Sequence, residues 1–254
     1  EGVDLSVGAV VTLGAILVFR MVNGQNEMIL PALLVALASG AVIGFLNGIG
    51  IIYVRIPPLV MTLGMTAVVQ GLILIVTRGV MQGGVAPLMA RLIRQPLFFN
   101  IPGIVFFWLL LGFIMWLLLE RTPFGKRVFA VGVNRVAANL SGVRVPWVVV
   151  LTYTLSGILA ALTGFVLLGY SGRVFLRLGE PYTLPSVAAV VIGGTLLSGG
   201  YGSYWGTMAG ALVLTLITSL LTTLQLAEAF RLVVYGATLL ILLLFYGRQR
   251  GLRQ

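Results

Sequence analysis

Residues Met28–Val54 read MILPALLVALASGAVIGFLNGIGIIYV, an apolar block without a single charge. A helix needs roughly 20 predominantly apolar residues to cross the hydrocarbon of a bilayer, and this block exceeds that length. A transmembrane β-strand would instead alternate in polarity over roughly ten residues. The block therefore reads as a membrane-spanning α-helix. Within it Gly40, Gly44 and Gly48 recur at four-residue spacing, and Gly206 with Gly210 repeats the pattern later. Small residues on one helix face let neighbouring backbones approach closely in lipid, so we expect helix contact at both places.

The rest of the chain has the same character. Further runs without a charge are Leu5–Phe19, Ile56–Thr77, Ile101–Leu119, Pro146–Gly172, Pro181–Ala227 and Leu232–Gly247. Pro181–Ala227 is long enough for two spans, which gives eight crossings or partial crossings in all. Composition agrees: 59% of residues are hydrophobic and only 9% are charged, a balance that excludes a soluble domain with a charged exterior. The expected fold is an all-α, polytopic bundle of transmembrane helices, a single domain over residues 1–254. An internal inverted repeat is a further expectation. The intervals Gly2 to Gly8 and Gly200 to Gly206 each open an apolar helix, followed by Gly14-Ala15 and Gly210-Ala211, and such repeats are common in transporters. The chain opens on Glu1 without an initiator Met or a secretory signal pattern. We expect an internal start, with further spans before it.

A formal charge of +10 would suggest nucleic acid on a soluble domain, but here the cations sit at the ends of apolar segments. Membrane topology accounts for them better, and nucleic acid is not an expected partner. The densest block is Arg121, Lys126, Arg127, Arg135 and Arg144, around the polar island TPFGKRVFAVGVNRVAANLSGV at Thr122–Val143. Placing that island in the cytoplasm puts Arg55 and the Arg248, Arg250, Arg253 tail on the same side. Arg20, Arg78, Arg91, Arg94, Arg173, Arg177 and Arg231 then face outward. Pro123 can open a helix in the island, where Phe124, Val128, Phe129, Val131 and Val136 stand beside Lys126, Arg127 and Arg135. Such a segment suits docking of a protein partner, and equally suits anionic membrane lipid.

Chemistry of its own is scarce. With no Cys and no His, thiol, haem and zinc chemistry through those residues are removed, and no metal site is expected. Gly125-Lys126 lacks the upstream glycine of a phosphate loop, and Arg127 replaces its hydroxyl residue. No catalytic residue and no bound cofactor are therefore expected. The six acids, Glu1, Asp4, Glu27, Glu120, Glu180 and Glu228, all fall at segment ends. That weakens a proton- or sodium-coupled carrier, which places an acid mid-span. Asp4 stands at the mouth of the first helix, where its simplest role is an N-cap. Asn47, Thr62, Gln70, Ser156, Thr195, Ser198 and Thr215 are candidate linings of a translocation path, because polar side chains in spans face protein or water. The plainer reading of each is a helix-to-helix hydrogen bond.

These residues carry a resemblance. Glu1-Gly2-Val3-Asp4-Leu5-Ser6-Val7-Gly8 is similar to the Gly-Gly-Ile-Asp-Leu-Ser-Val-Gly signature of permeases from bacterial ABC importers of the ribose, xylose and arabinose type. Thr122-Pro-Phe-Gly125, Ala130-Val-Gly132-Val-Asn134 and Ala137-Ala138-Asn139-Leu140-Ser141-Gly142-Val143 resemble that family's cytoplasmic loop. Val190-Val-Ile-Gly193-Gly194-Thr195-Leu-Leu-Ser198-Gly199-Gly200, with Gly202 and Gly206, resembles its late glycine-rich segment. Ile56-Pro57-Pro58-Leu59-Val60-Met61-Thr62-Leu63-Gly64 resembles the start of a middle helix. Two departures stand out: Glu1 replaces the first signature glycine, and Arg135 follows Asn134 where the family often has an acid or a neutral residue.

The resemblance implies a permease of about ten helices in full, in the bacterial inner membrane, that moves a monosaccharide by alternating access. It implies three protein partners: a cytoplasmic ATPase that carries ATP and Mg, a periplasmic sugar-binding protein, and a second permease copy or paralogue. It also implies a coupling loop over residues 120–146, in which Thr122, Gly125, Lys126, Arg127, Gly132, Asn134, Arg135, Ala137, Ser141 and Gly142 meet the ATPase. Gly2, Asp4, Ser6 and Gly8 would order the start of the first helix. Related permeases import branched-chain amino acids or the autoinducer furanosyl signal, and the Asp-Leu-Ser version at Asp4–Ser6 favours sugars. The rivals are a secondary transporter and a membrane scaffold whose basic loop recruits a cytoplasmic partner.

Overall fold

A computed structural model describes residues 2–225 together with 230, 233, 236 and 237. Glu1, Glu228, Arg231, the arginine tail and most of the run 232–247 lie outside the described residues. The fold is all-α, with one two-stranded hairpin. Among the described residues five helices are long and apolar enough to cross a membrane: Asn26–Ile52, Pro58–Thr77, Gly103–Arg121, Val145–Ser171 and Tyr204–Thr223. The expected single domain divides by its internal contacts into two compact units, with breaks at residues 111/112 inside one helix, at 143/144 between helices, and at 183/184 at the start of another helix.

The first unit comprises Gly2–Leu111 and Arg144–Thr183. It contains α1 (Val7–Val22), α2 (Ile29–Ile52), α3 (Pro58–Thr77), α4 (Pro87–Arg94), the strands β1 (Pro96–Phe98) and β2 (Ile101–Pro102), and the first part of α5 (Gly103–Trp116). After α6 and α7, described below, it resumes with α8 (Val145–Ser171). Proline opens α3 and α4, where its missing N–H costs nothing. Left-handed residues close three helices: Asn23 ends α1, Arg78 ends α3, and Gly172 ends α8. A core of Val10, Ile16, Val18, Val69, Ile73, Met89 and Leu168 fills the space between these elements.

The most extensive helix packing in this unit is between α2 and α8, which run antiparallel. A Cβ added at Gly40 would strike the Gly157 carbonyl oxygen, one at Gly44 the Tyr153 carbonyl oxygen, and one at Gly48 would lie 2.6 Å from Val150 Cα. The four-residue glycine spacing is thus a face pressed directly on another backbone. Gly164 on α8 packs in the same way on Val11 of α1.

The second unit comprises Gly112–Val143 and the described residues from Leu184 onward. It holds the end of α5, a π-helical turn at Leu117–Arg121, α6 (Pro123–Val133), α7 (Arg135–Leu140), most of α9 (Thr183–Ile192), and α10 (Tyr204–Thr223). The Pro181–Ala227 run, expected to make two spans, makes two helices with a glycine-rich loop between them, of which α10 is long and apolar enough to cross a membrane while α9 has ten residues. Gly206 and Gly210 of α10 meet the carbonyls of Gly193 and Ala189, so this antiparallel pair uses the same packing device as α2 and α8. Ala188, Ala189 and Leu214 form its buried centre.

Gly44→Val should lower stability by about 2–3 kcal/mol, because the added methyl groups have no space against the α8 backbone. Gly71 has no neighbouring atom within 4 Å of an added Cβ, so Gly71→Val should change stability by less than about 0.5 kcal/mol. Thermal unfolding of both variants in detergent tests the contrast.

Candidate functional site

Two constellations qualify, one in each unit. In the first unit the signature segment enters α1 through a polar knot. The Asp4 Oδ1 accepts the Ser6 backbone N–H at 3.0 Å and the Ser6 hydroxyl at 2.6 Å. Its Oδ2 accepts the Ser156 hydroxyl of α8 at 2.7 Å. Since the one Ser6 hydroxyl proton goes to Asp4, its oxygen is left to accept, and Asn47 Nδ2 of α2 donates to it at 3.0 Å. Asn47 is fully buried, and its Oδ1 has no hydrogen-bond partner. Four side chains thus join α1, α2 and α8.

Asp4 is more than the simple cap expected. Ser6 occupies the N-cap position of α1 and makes no side-chain cap bond, whereas Asp4 folds the chain just ahead of the helix and reaches α8. Thr62 is fully buried; its hydroxyl donates to Pro58 O at 3.0 Å on its own helix, with Val3 O at 3.4 Å. The Thr66 hydroxyl donates to Thr62 O at 2.9 Å on its own helix, with Leu5 O of the signature at 3.2 Å. Gly2 lies against the Tyr153 ring, 2.5 Å from its hydroxyl by an added Cβ. Gly8 packs on Gly179, Glu180 and Thr183. Neither Tyr153 nor Thr66 stood out in the sequence, since only the folded α8 and α3 bring them to this knot.

Of the other path candidates, Gln70 is half-buried on α3 and Thr215 is exposed, with its hydroxyl bonded to Ala211 O on its own helix at 2.8 Å. Thr195 and Ser198 lie in the glycine-rich loop between α9 and α10, Thr195 beside Gly202. Within the first unit the structure therefore gathers Asn47 and Ser156, with Thr62 close by.

The second constellation is the polar island. The π-helical turn ending α5 is braced by Trp116, whose Nε1 donates to Glu120 Oε2 at 2.8 Å while the Arg121 guanidinium lies over the ring, 5.3 Å from its centroid. Thr122 caps α6, accepting from Gly125 N at 3.3 Å. Gly125 packs against the Leu119 carbonyl, which makes glycine necessary where the chain doubles back. Asn134 interrupts the helix with an extended backbone and caps α7, its Oδ1 accepting from Val136 N at 2.9 Å and Ala137 N at 3.0 Å.

The result is a helix, a one-residue break and a second short helix. Lys126, Arg127, Arg135, Ala137, Ser141 and Gly142 are exposed, while Val131 and Ala138 are buried. Val136 and Leu140, four residues apart on α7, are 70% and 83% exposed, so α7 presents an apolar face rimmed by polar residues. Leu140 escaped the sequence reading, although its spacing from Val136 was visible. Gly132 differs from expectation: its tight neighbour is Gly200 of the glycine-rich loop, whose N would lie 2.5 Å from an added Cβ.

Comparison with known proteins places this geometry in context. Residues 1–243 match the family described as branched-chain amino acid transport system, permease component. The chain is 37% identical over 244 residues to the ribose import permease protein of Bacillus subtilis (strain 168), covering 96% of this chain and 76% of that protein. It is 35% identical over 250 residues to the autoinducer 2 import system permease protein of Yersinia pseudotuberculosis (serotype O:3, strain YPIII), covering 98% of this chain and 71% of that one. The corresponding protein of Salmonella typhimurium is 34% identical over 259 residues, covering 100% of this chain and 74% of that one. No solved structure matches the chain.

The knot makes a graded prediction. In Asp4→Asn the amide oxygen keeps both bonds from Ser6, and the amide N–H can donate to Ser156, so stability should fall by less than about 1 kcal/mol. Asp4→Ala strands the buried Ser6 and should cost about 2–3 kcal/mol. Thermal melts of both, alongside uptake, provide the check: normal stability with equally lost uptake in both variants would assign Asp4 a charge-dependent role instead.

Proposed function

We propose, from the premise that this chain belongs to the family of branched-chain amino acid transport system permease components, that it is the membrane subunit of an ATP-driven importer for a monosaccharide or a similar small polyol. It is a multi-pass transport subunit of the bacterial inner membrane, moving its cargo by alternating access. The energy comes from a separate cytoplasmic ATPase that binds ATP and Mg, and the cargo arrives on a periplasmic binding protein. Two permease copies, or this chain with a paralogue, complete the path.

The observation that carries this reading is the capped α6–α7 pair. A permease without a phosphate loop needs a projecting surface through which another protein can move it. α7 offers a compact apolar face, Val136 and Leu140, and α6 carries the exposed cations Lys126 and Arg127. That is the composition of a protein contact with a desolvated centre and a polar rim. Ribose and autoinducer 2, the cargoes in the names of the relatives, are small polyoxygenated molecules, and this favours a sugar over a branched-chain amino acid. A carrier coupled to protons or sodium fits less well, because Asp4, the acid at the mouth of α1, has both carboxyl oxygens engaged in tying helices together.

Proteoliposomes holding this chain should accumulate sugar only when the ATPase, ATP and the binding protein are supplied, and the purified chain alone should not hydrolyse ATP. Accumulation driven by a proton or sodium gradient without those partners would refute the proposal.

Leu140→Cys should cross-link the ATPase in inside-out vesicles, with no native cysteine to confuse the result. Position 140 is preferable to 134, since replacing the Asn134 cap costs about 1 kcal/mol and disturbs the surface under test. Labelling of the introduced thiol only from outside intact cells would invert the topology and exclude docking there.

A further inference from the structure

Within the second unit the end of α6 meets the glycine-rich loop backbone to backbone. An added Cβ at Gly132 would lie 2.5 Å from Gly200 N and 3.1 Å from its Cα. In the reverse sense, a Cβ at Gly200 would lie 2.9 Å from Val133 Cα and 2.7 Å from its Cγ2. The loop is itself held closed: Leu196 N donates to Tyr201 O at 3.1 Å, and Gly199 N to Leu196 O at 3.0 Å. Its two ends are clamped where Gly193 and Gly206 press their backbones together. At Gly132–Gly200 and at Gly193–Gly206 backbone lies directly on backbone, and close-packed structure transmits strain.

We propose that the Gly132–Gly200 contact is a permanent mechanical joint, through which displacement of α6 by the ATPase passes along the glycine-rich loop to the α9–α10 pair. Gly132 and Gly200 are positioning residues: they touch neither ATP nor cargo. This proposal rests on the importer reading above and adds a second route to the direct chain connection through the π-helical turn into α5. The glycines at 193, 200 and 206 have one shared purpose, to let α6, the loop, α9 and α10 move as a single lever.

The test uses the assembled importer in proteoliposomes, measuring ATP hydrolysis and sugar uptake together. Gly132→Ala, verified as folded by its melting curve, should still allow the ATPase to be cross-linked at position 140 in the Leu140→Cys background. Uptake per ATP hydrolysed should fall about tenfold, within the range by which coupling between two sites changes. A merely structural role would lower both activities in parallel and leave that ratio unchanged, which would overturn the proposal.

A paired variant, Val133→Cys with Tyr201→Cys, at two exposed positions flanking the contact, tests permanence without placing a side chain at either glycine. Oxidation should join the two positions and leave uptake per ATP equal to that of the same reduced protein. If oxidation stops uptake and reduction restores it, the contact opens during the cycle and the joint is refuted. Failure of Leu140→Cys to cross-link the ATPase when residues 132, 133 and 201 are native would instead bring down the importer reading, and the joint with it.

Discussion

The structure of the first unit depends on one constraint, the absence of side chains between α2 and α8. In lipid there is little hydrophobic gain from joining two apolar helices, so association relies on close van der Waals contact and interhelical hydrogen bonds. Gly40, Gly44 and Gly48 supply the contact by exposing the α2 backbone directly to the α8 backbone. That approach also fixes the rotation of both helices. Once Gly44 lies on Tyr153 and Gly48 on Val150, Asn47 is brought to Ser6, while Ser156, farther along α8, meets Asp4. Packing and polar knot are therefore one arrangement, and a bulkier residue at Gly44 would displace hydrogen bonds several residues away.

The second unit solves the same physical problem with the same means. Gly193, Gly206 and Gly210 bring α9 and α10 together, and Gly132 with Gly200 extends the contact to α6. Short spans and interrupted helices are tolerated in a membrane where neighbouring protein satisfies the freed backbone groups. The glycine-rich loop meets that condition through its own internal bonds, Thr195 N to Val190 O at 3.1 Å among them.

Much of this was legible from composition and spacing. Charge-free runs marked the helices because the bilayer forbids unsatisfied backbone and isolated charge, and the long Pro181–Ala227 run divided into two helices, of which α9 has only ten residues. Glycine spacing identified the packed faces, since periodicity in a helix is local information. What escaped was set by contacts distant in sequence. Asp4 read as a local cap because Ser156 is its partner only after folding. Gly132 read as a surface residue because nothing near it in the chain reveals Gly200. The amphipathic α4 and its hairpin fell in the mixed stretch between Arg78 and Ile101, where Phe99 and Asn100 take left-handed backbone angles. Bulky residues seldom adopt those angles, so no turn signal announced it. The Asn134 break did carry a local signal, since Gly132 and Val133 before it are weak helix formers and Asn favours the N-cap.

That break has a thermodynamic consequence. A helix of six residues, as α7 is, lies well below the length at which isolated helices hold together in water. Left disordered, such a segment would have to be fixed at the moment of association, at roughly 1–2 kcal/mol of backbone entropy per residue. Here the Asn134 carboxamide has already satisfied the first free amides, and buried Ala138 anchors the far side. The conformational entropy of α7 is thus lost during folding, before any encounter. The surface at Val136 and Leu140 is therefore preformed, and a contact made there would carry little further cost of ordering the backbone.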